Sequence, residues 1–292
     1  MESLFKSGFR SFLESSYIDF VEYGNNFIFP DYNFSVELIP KPAPGALQRR
    51  SEHLLFETDM GDKVTLYEDR WWASPDIVQE RILARLERFR SVFARKCRVL
   101  SGRGNASMPD IVNEFLHKHH TYSSAKCRYR YALEFEGEIV AVATFSQGRP
   151  MVRKIDNMLL NVPKEEHVDS QILIFDSYEW IRYASLPGVR VVGGMGRLLN
   201  AFIEERFTRI PPGTPLEVMT YSDTEWGNGD VYLKLGFKYA GERPPVEYHV
   251  HKDTYVRYQQ RLYEKELAAG ASPDDFYTIS NLGSKKFLYQ IL

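Results

Sequence analysis

Gly193, Gly194 and Gly196 crowd the point where an apolar strand end gives way to a helical pattern, and this passage limits the fold more than any other. After the strand end, Met195, Leu198, Leu199, Phe202 and Ile203 recur at steps of three and four, which an α-helix gathers onto one face. Glycine turns through positive φ without steric cost and lets another group come close to the backbone. The first turn of a helix presents N–H groups with no intrahelical acceptor, at the positive end of the helix dipole. Glycines set against such a turn suit an anion, a diphosphate above all, and Arg197 stands where a cation would help. Val192, Gly193, Gly194, Met195, Gly196 and Arg197 are therefore the candidate cofactor-binding residues. A turn packed tightly for steric reasons alone would carry the same glycines.

From Ala94 onward strands alternate with helices. Ala94 to Leu100 reads as a strand, and Pro109 to His119 as a helix with Ile111, Val112, Phe115 and Leu116 inward. Cys127, Tyr129, Tyr131, Leu133 and Phe135 alternate with polar or small residues, the mark of a half-buried strand. A turn at Glu136–Gly137 leads into Glu138 to Ser146, apolar at consecutive positions and so covered on both faces. A strand within Gln171 to Ala184 is followed by the loop SLPGVR and then the glycine segment, Pro215 to Tyr221 gives another strand, and Asp230 to Lys234 a short helix. The chain then returns through Phe237 to Val250, and Asp253 to Ala269 reads as a helix closed by Gly270 ahead of a final strand.

The first part reads differently. Met1 to about Gln48 is aromatic and irregular, with two short strands in Asn26 to Leu38 broken at Pro30 and Asp31, and a Pro-rich run at Lys41 to Ala46. Asp62 to Tyr67 is a strand, and Ser74, Pro75 and Asp76 begin a helix as cap, first position and dipole partner. Val78, Ile82, Leu86, Phe89 and Phe93 form its apolar stripe, and Arg81, Arg85, Arg88 and Arg90 a solvated back. The expected fold class is α/β (α+β): a mixed, mainly antiparallel central sheet flanked by helices, with a smaller N-terminal α/β region. The expected divisions are 1–93, 94–250 and 251–292.

Composition narrows the classes of function. A net charge of −2 does not draw polyanions to the whole surface, so nucleic-acid binding needs a local stripe. Arg95 to Arg103, with Lys126, Arg128 and Arg130, could touch a phosphate backbone or line solvated strand edges. No run reaches the apolar length of a membrane span, and the opening residues lack the pattern of a secretory leader. The two cysteines, Cys97 and Cys127, are too few for a disulfide framework, and the expected compartment is cytoplasmic. His117, His119 and His120 share their spacing with no cysteine or carboxylate, so no metal site is expected there.

The glycine turn GGMGRLL, followed by VYLKLGF at Val231 to Phe237, resembles the GCN5-related N-acetyltransferase (GNAT) superfamily, and the order of elements from Ala94 to Val250 is similar too. The resemblance implies an acyl-CoA-dependent N-acyltransferase, with acetyl-CoA as cofactor, its diphosphate on the loop before the helix, and an amine-bearing small molecule or protein as acceptor. Tyr232 takes the place of the tyrosine that protonates the departing thiolate, and a phenol's pKa near 10 is chemically suited to that task. Glu179 and Asp223 are the candidate bases, and the two strands flanking the glycine-headed helix are expected to splay and hold the pantetheine arm.

A second resemblance spans nearly the whole chain. LYEDRWWASPDIVQERI, VVGGMGRLL and NLGSKKF, among other segments, look like phage-type homing endonucleases that join a very-short-patch-repair-like nuclease region to a GNAT-like domain. Glu37 falls on the retained carboxylate of that nuclease, while Asn26 stands where an aspartate is expected. A divalent metal needs charged oxygen ligands, so the resemblance implies an inactive nuclease region and a DNA-associated alternative to catalysis.

Overall fold

The computed structural model describes residues 3–43, 61–102, 105–155, 171–210 and 214–291. The end of the Pro-rich run, Pro44 to Ala46, and Arg103 of the basic stretch lie outside the described residues. In chain order the elements are helix α1 (Leu4–Ser15), strands β1 (Val21–Tyr23), β2 (Asn26–Phe29), β3 (Phe34–Ile39) and β4 (Asp62–Tyr67), and helices α2 (Glu68–Ala73) and α3 (Pro75–Arg85). Next come β5 (Arg90–Phe93), β6 (Arg98–Ser101), α4 (Met108–His119), β7 (Tyr129–Phe135), β8 (Glu138–Phe145), β9 (Arg149–Ile155), β10 (Gln171–Ser185), β11 (Val189–Val192) and α5 (Gly194–Phe207). The chain closes with β12 (Leu216–Asp223), α6 (Asp230–Lys234), β13 (Lys238–Arg243), β14 (Glu247–His251), β15 (Arg257–Tyr258), α7 (Gln260–Ala268), β16 (Phe276–Ser280) and β17 (Ser284–Ile291). This is an α/β fold with mixed sheets flanked by helices.

Contacts group the chain into two compact units. One comprises Met1–Arg90, Ser222–Asp230 and Gly241–Lys285, and the other Ser91–Tyr221, Val231–Ala240 and Lys286–Leu292. The tail beyond residue 250 therefore does not stand alone: most of it joins the first unit and its last strand ends in the second.

In the first unit, the stretch expected to be irregular opens with α1. Ser3 caps it by accepting from the Lys6 amide at 3.2 Å, and Phe5, Phe9, Phe12 and Leu13 fall on one buried face. Phe9 sets its ring edge-on to Phe27 at 4.9 Å and to Trp71 at 5.5 Å. The sheet beneath runs β1-β2-β3-β4, with β3 parallel to β4 and buried at all six of its positions. Helix α3 stops at Arg85 because Glu87 takes a left-handed φ of 56°, so Phe89 and Phe93 leave the stripe expected for them. Ser74 sits at its N-cap without a side-chain cap bond.

The arginines of α3 are not a solvated back. The Arg81 guanidinium lies 3.6 Å over the Trp226 ring, Arg85 Nη2 donates to the Trp226 carbonyl at 2.6 Å, and Arg85 also pairs with Asp62. Helix α7 begins at Gln260 rather than Asp253, since Tyr255 has a positive φ of 56° and Arg257 is drawn into β15. Arg257 donates to Asp69 through Nε at 2.6 Å and Nη2 at 3.1 Å, and to Glu225 Oε1 through Nη1 at 2.9 Å.

Glu225 is almost wholly buried, and its Oε2 has no hydrogen-bond partner among the described residues. Burial pushes its carboxyl up to about 7; Arg257 and Arg70 oppose the rise and Asp223 adds to it. A carboxyl that holds its proton more tightly when folded contributes stability at low pH and loses it as pH climbs from about 4.3 through the folded value. The thermal midpoint is therefore expected to fall between about pH 5 and 8, and Glu225→Gln to flatten that slope. An equal slope in the variant would reassign the effect to another group.

The second unit is built on the sheet β13-β17-β12-β10-β8-β7-β6, with β9 paired to the first half of β10. The pairs β6–β7, β7–β8, β8–β10 and β9–β10 are antiparallel, and β10–β12 is parallel. The expected strand from Ala94 is instead a 3-10 turn at Ala94–Lys96, and pairing starts at Arg98. Alternation along the strands sends Tyr131, Leu133, Ala141 and Ala143 into one core with α5. Ala132, Val142 and Ala184 turn instead to Met108, Val112, Phe115 and Leu116 of α4. The two helices thus cover opposite faces.

Candidate functional site

Strand β11 ends at Val192, and Gly193 then takes φ 77° and ψ 6°, the left-handed conformation open to glycine. The first backbone bond of α5 runs from the Arg197 amide to the Gly193 carbonyl at 3.0 Å. The amides of Gly194, Met195 and Gly196 precede it and have no intrahelical acceptor. A Cβ on Gly194 would stand 2.8 Å from the Tyr183 hydroxyl and 3.0 Å from Val191 Cγ1; one on Gly196 would stand 3.3 Å from Leu235 Cδ2. Packing alone accounts for glycine at 194 and 196, and backbone conformation accounts for it at 193. Of the three glycines Gly193 is the exposed one.

A cavity of about 980 Å³ opens beside the head of α5, lined by Val192, Gly193, Gly196 and Arg197 and also by Arg95 and Glu204. Arg197 donates from Nη2 to the Cys97 carbonyl at 3.3 Å, and the Arg95 guanidinium lies 5.0 Å over the Phe93 ring. Of the acidic groups in the lining, Glu205 is engaged by the Tyr131 hydroxyl at 2.8 Å and by Arg206 Nη2 at 2.6 Å. Arg95 and Arg197 are the cations that line the cavity.

Tyr232 lies in α6, half-buried, with its ring 6.1 Å from Trp180, 5.7 Å from Phe237 and 5.4 Å from Phe287. Burial pushes its phenol above the ordinary value, and a hydrogen bond with the Thr220 side chain works against that. It does not wall the cavity. Its link to the glycine turn is Leu235, one helical turn on, which rests against Gly196.

The parallel ladder between β10 and β12 joins Asp176–Glu179 to Leu216–Met219. Beyond it the Trp180 carbonyl accepts from the Thr220 hydroxyl at 3.2 Å, and β10 shifts register against β8 between Trp180 and Arg182. Glu179 ends the ladder, with its backbone amide on Ser146 Oγ and its carbonyl on the Ser146 amide, both at 2.8 Å. Asp223 closes β12, and its Oδ1 accepts the Glu225 amide at 3.0 Å, which spends that oxygen on a local turn. Trp180, Tyr183, Thr220 and Ser146, none of them singled out in sequence, surround this region. For Trp180 and Tyr183 the signal was alternation along β10, which the register shift interrupts.

The remaining candidates are apart from this region. Asn26 pairs across the ladder with Glu37, whose carboxylate is held by Lys63 Nζ at 2.8 Å. Among the described residues no group of three or more histidine, cysteine or acidic side chains is placed to hold a metal. His119 packs its ring 4.7 Å from Phe115, and His120 Nδ1 accepts the Tyr122 amide. Among the described residues no helix is long and apolar enough to cross a membrane.

No family model and no curated protein matches the chain. Among solved structures it is similar to a GNAT family acetyltransferase from Elizabethkingia anophelis with acetyl-CoA bound, at 10% identity and a TM-score of 0.36 over 67% of this chain and 99% of that one. It is also similar to Arabidopsis thaliana NAA60 in complex with acetyl-CoA, at 11% identity and TM-score 0.35 over 66% and 100%. A third is the N-acetylglutamate synthase of Neisseria gonorrhoeae complexed with coenzyme A and N-acetyl-glutamate, at 13% identity and TM-score 0.31 over 67% and 35%.

Proposed function

We propose that the second unit is an acyl-CoA-dependent N-acyltransferase that moves an acetyl group from acetyl-CoA to an amine. The observation that carries this reading is the head of α5: amides of Gly194, Met195 and Gly196 with no acceptor among the described residues, beside a cavity lined by the left-handed Gly193, by Gly196 and by Arg197. These are donors without acceptors, the chemistry that holds a diphosphate.

The ligand supplies an acyl group activated as a thioester. Backbone N–H groups where the β10–β12 ladder stops, at the pair Glu179 and Met219, orient the thioester carbonyl. As the amine nitrogen bonds to the carbonyl carbon and the carbon–sulfur bond breaks, the Tyr232 hydroxyl gives its proton to the sulfur. Its raised pKa keeps that proton in place at neutral pH. The amine's proton goes to a carboxylate, for which Glu179 and Asp223 are the candidates.

Titration calorimetry with acetyl-CoA tests the binding claim. Wild type is expected to bind, and Gly194→Asp, which sets a negative side chain against Tyr183 and Val191, to lose binding altogether. A wild type that releases no heat removes the cofactor from the account. For the chemical step, Tyr232→Phe is expected to lower kcat about a hundredfold with little change in KM for acetyl-CoA; an unchanged kcat would take the acid role from Tyr232.

A further inference from the structure

The Tyr232 phenol has to give up its proton among aromatic rings. It lies edge-on to Trp180 at 6.1 Å and 79°, and Phe237 and Phe287 pack on it at 5.7 Å and 5.4 Å. An acid in such a place acts only if a donor stabilises the phenolate it leaves behind. The Trp180 indole cannot, because its N–H is spent on the Arg182 carbonyl at 3.0 Å. Thr220 supplies the donor. The β10–β12 ladder ends at Glu179 and Met219, and the next residues on the two strands are Trp180 and Thr220. There a side chain takes over from backbone pairing: Thr220 Oγ1 donates to the Trp180 carbonyl at 3.2 Å, with both residues at most 3% exposed. The same hydroxyl is hydrogen-bonded to the Tyr232 phenol, a contact that favours the phenolate against the burial that disfavours it.

We propose that Thr220 is a positioning residue for the proton transfer, its hydroxyl shared between the Tyr232 phenol and the Trp180 carbonyl; this rests on the acyltransferase reading above. A threonine hydroxyl has a single hydrogen to give and lone pairs to accept with. At rest that hydrogen lies on the Trp180 carbonyl, so the phenol donates to Thr220 and the chain of donors runs from Tyr232 through Thr220 to Trp180. As the carbon–sulfur bond breaks, the sulfur keeps the bonding pair and takes the Tyr232 proton. Thr220 then turns its hydrogen from the carbonyl to the phenolate oxygen, exchanging a neutral acceptor for a charged one, which makes the stronger bond. Water returns a proton to the phenolate before the next turnover. A valine would have nearly the same shape and neither contact.

The test is a double-mutant cycle over wild type, Thr220→Val, Tyr232→Phe and the two combined, with Thr220→Ser beside it. Turnover is followed as thiol released from acetyl-CoA, with spermidine, free glutamate or a lysine-bearing peptide as the amine, and the melting temperature of each protein is taken. Thr220→Val is expected to lower kcat about tenfold with KM for acetyl-CoA within about twofold, and Thr220→Ser to stay within about threefold of wild type. In the combined variant valine should cost nothing beyond Tyr232→Phe, because Thr220 acts through a hydroxyl that phenylalanine lacks. Valine that costs the same in both backgrounds, or nothing in either, overturns the proposal and leaves Thr220 as a structural partner of the Trp180 carbonyl, with the acyltransferase reading standing. Should valine prevent folding, Thr220→Ala carries the same comparison. Tyr232→Phe with wild-type kcat overturns the proposal together with the acid role of Tyr232. Wild type that releases no thiol with any of the amines overturns both readings.

Discussion

Arg257→Ala is expected to destabilise the first unit by about 3–5 kcal/mol, the cost of removing one member of a buried ion network. The guanidinium is held by both oxygens of Asp69 and by one of Glu225, and the side chains of all three residues are at most 4% exposed. Alanine would leave two carboxylates out of water without the cation that binds both, and Oε2 of Glu225 already has no hydrogen-bond partner among the described residues. The packing loss adds to this, since the guanidinium lies 5.1 Å from the Tyr67 ring centroid and 5.7 Å from that of Tyr248. Lysine should recover little, because a point charge cannot make the two-pronged contact with Asp69. Denaturant unfolding followed by tryptophan fluorescence measures the change. A loss under about 1 kcal/mol would mean that the carboxylates take up protons or water at little cost, and that the network is not what holds β15.

The same residue shows where sequence falls short. Asp253 to Ala269 has the composition of one helix, and nothing local reports that Arg257 will be pulled from it by two acids distant in the chain. Tertiary charge pairing overrode propensity. The arginines of α3 repeat the lesson: a charged helix back reads as solvated unless one knows that Trp226, far along the chain, lies under Arg81. Helix α1 was hidden for a different reason, since its buried face is all Phe and Leu amid Ser and Gly, residues of poor helix propensity.

Local periodicity, by contrast, predicts several elements of the second unit. The alternation of Tyr129 to Phe135, the double-faced burial of β8, the apolar stripe of α5 and the glycines before it each depend on neighbours in sequence, and each is present in the structure. The candidate site was legible only to that depth. Strand β10 shifts register between Trp180 and Arg182, and a register shift leaves no mark in composition.

Phe202→Ala is expected to cost a further large amount, about 3–5 kcal/mol, as truncations of buried aromatics do. Phe202 is fully buried, stacked flat on Phe145 at 4.1 Å and 6°, with Tyr178 edge-on at 5.2 Å and Tyr131 edge-on at 6.2 Å. Aromatics that close on three sides leave a hole that rigid rings cannot collapse into, so cavity cost adds to lost burial. Arg206 sharpens the case, because its guanidinium lies buried 3.8 Å over Tyr129 and 5.9 Å from Phe202. Water admitted by the hole would loosen that cation's packing as well. Because Phe202 sits two helical turns from Gly194, its loss should act on stability rather than on the ligand site. Below its lowered midpoint, the variant should bind acetyl-CoA within about twofold of wild type, a difference of only about 0.4 kcal/mol. A folded variant that has lost binding would show that the helix face and the helix head are one unit, and that the bare amides depend on the packing of the core beneath them.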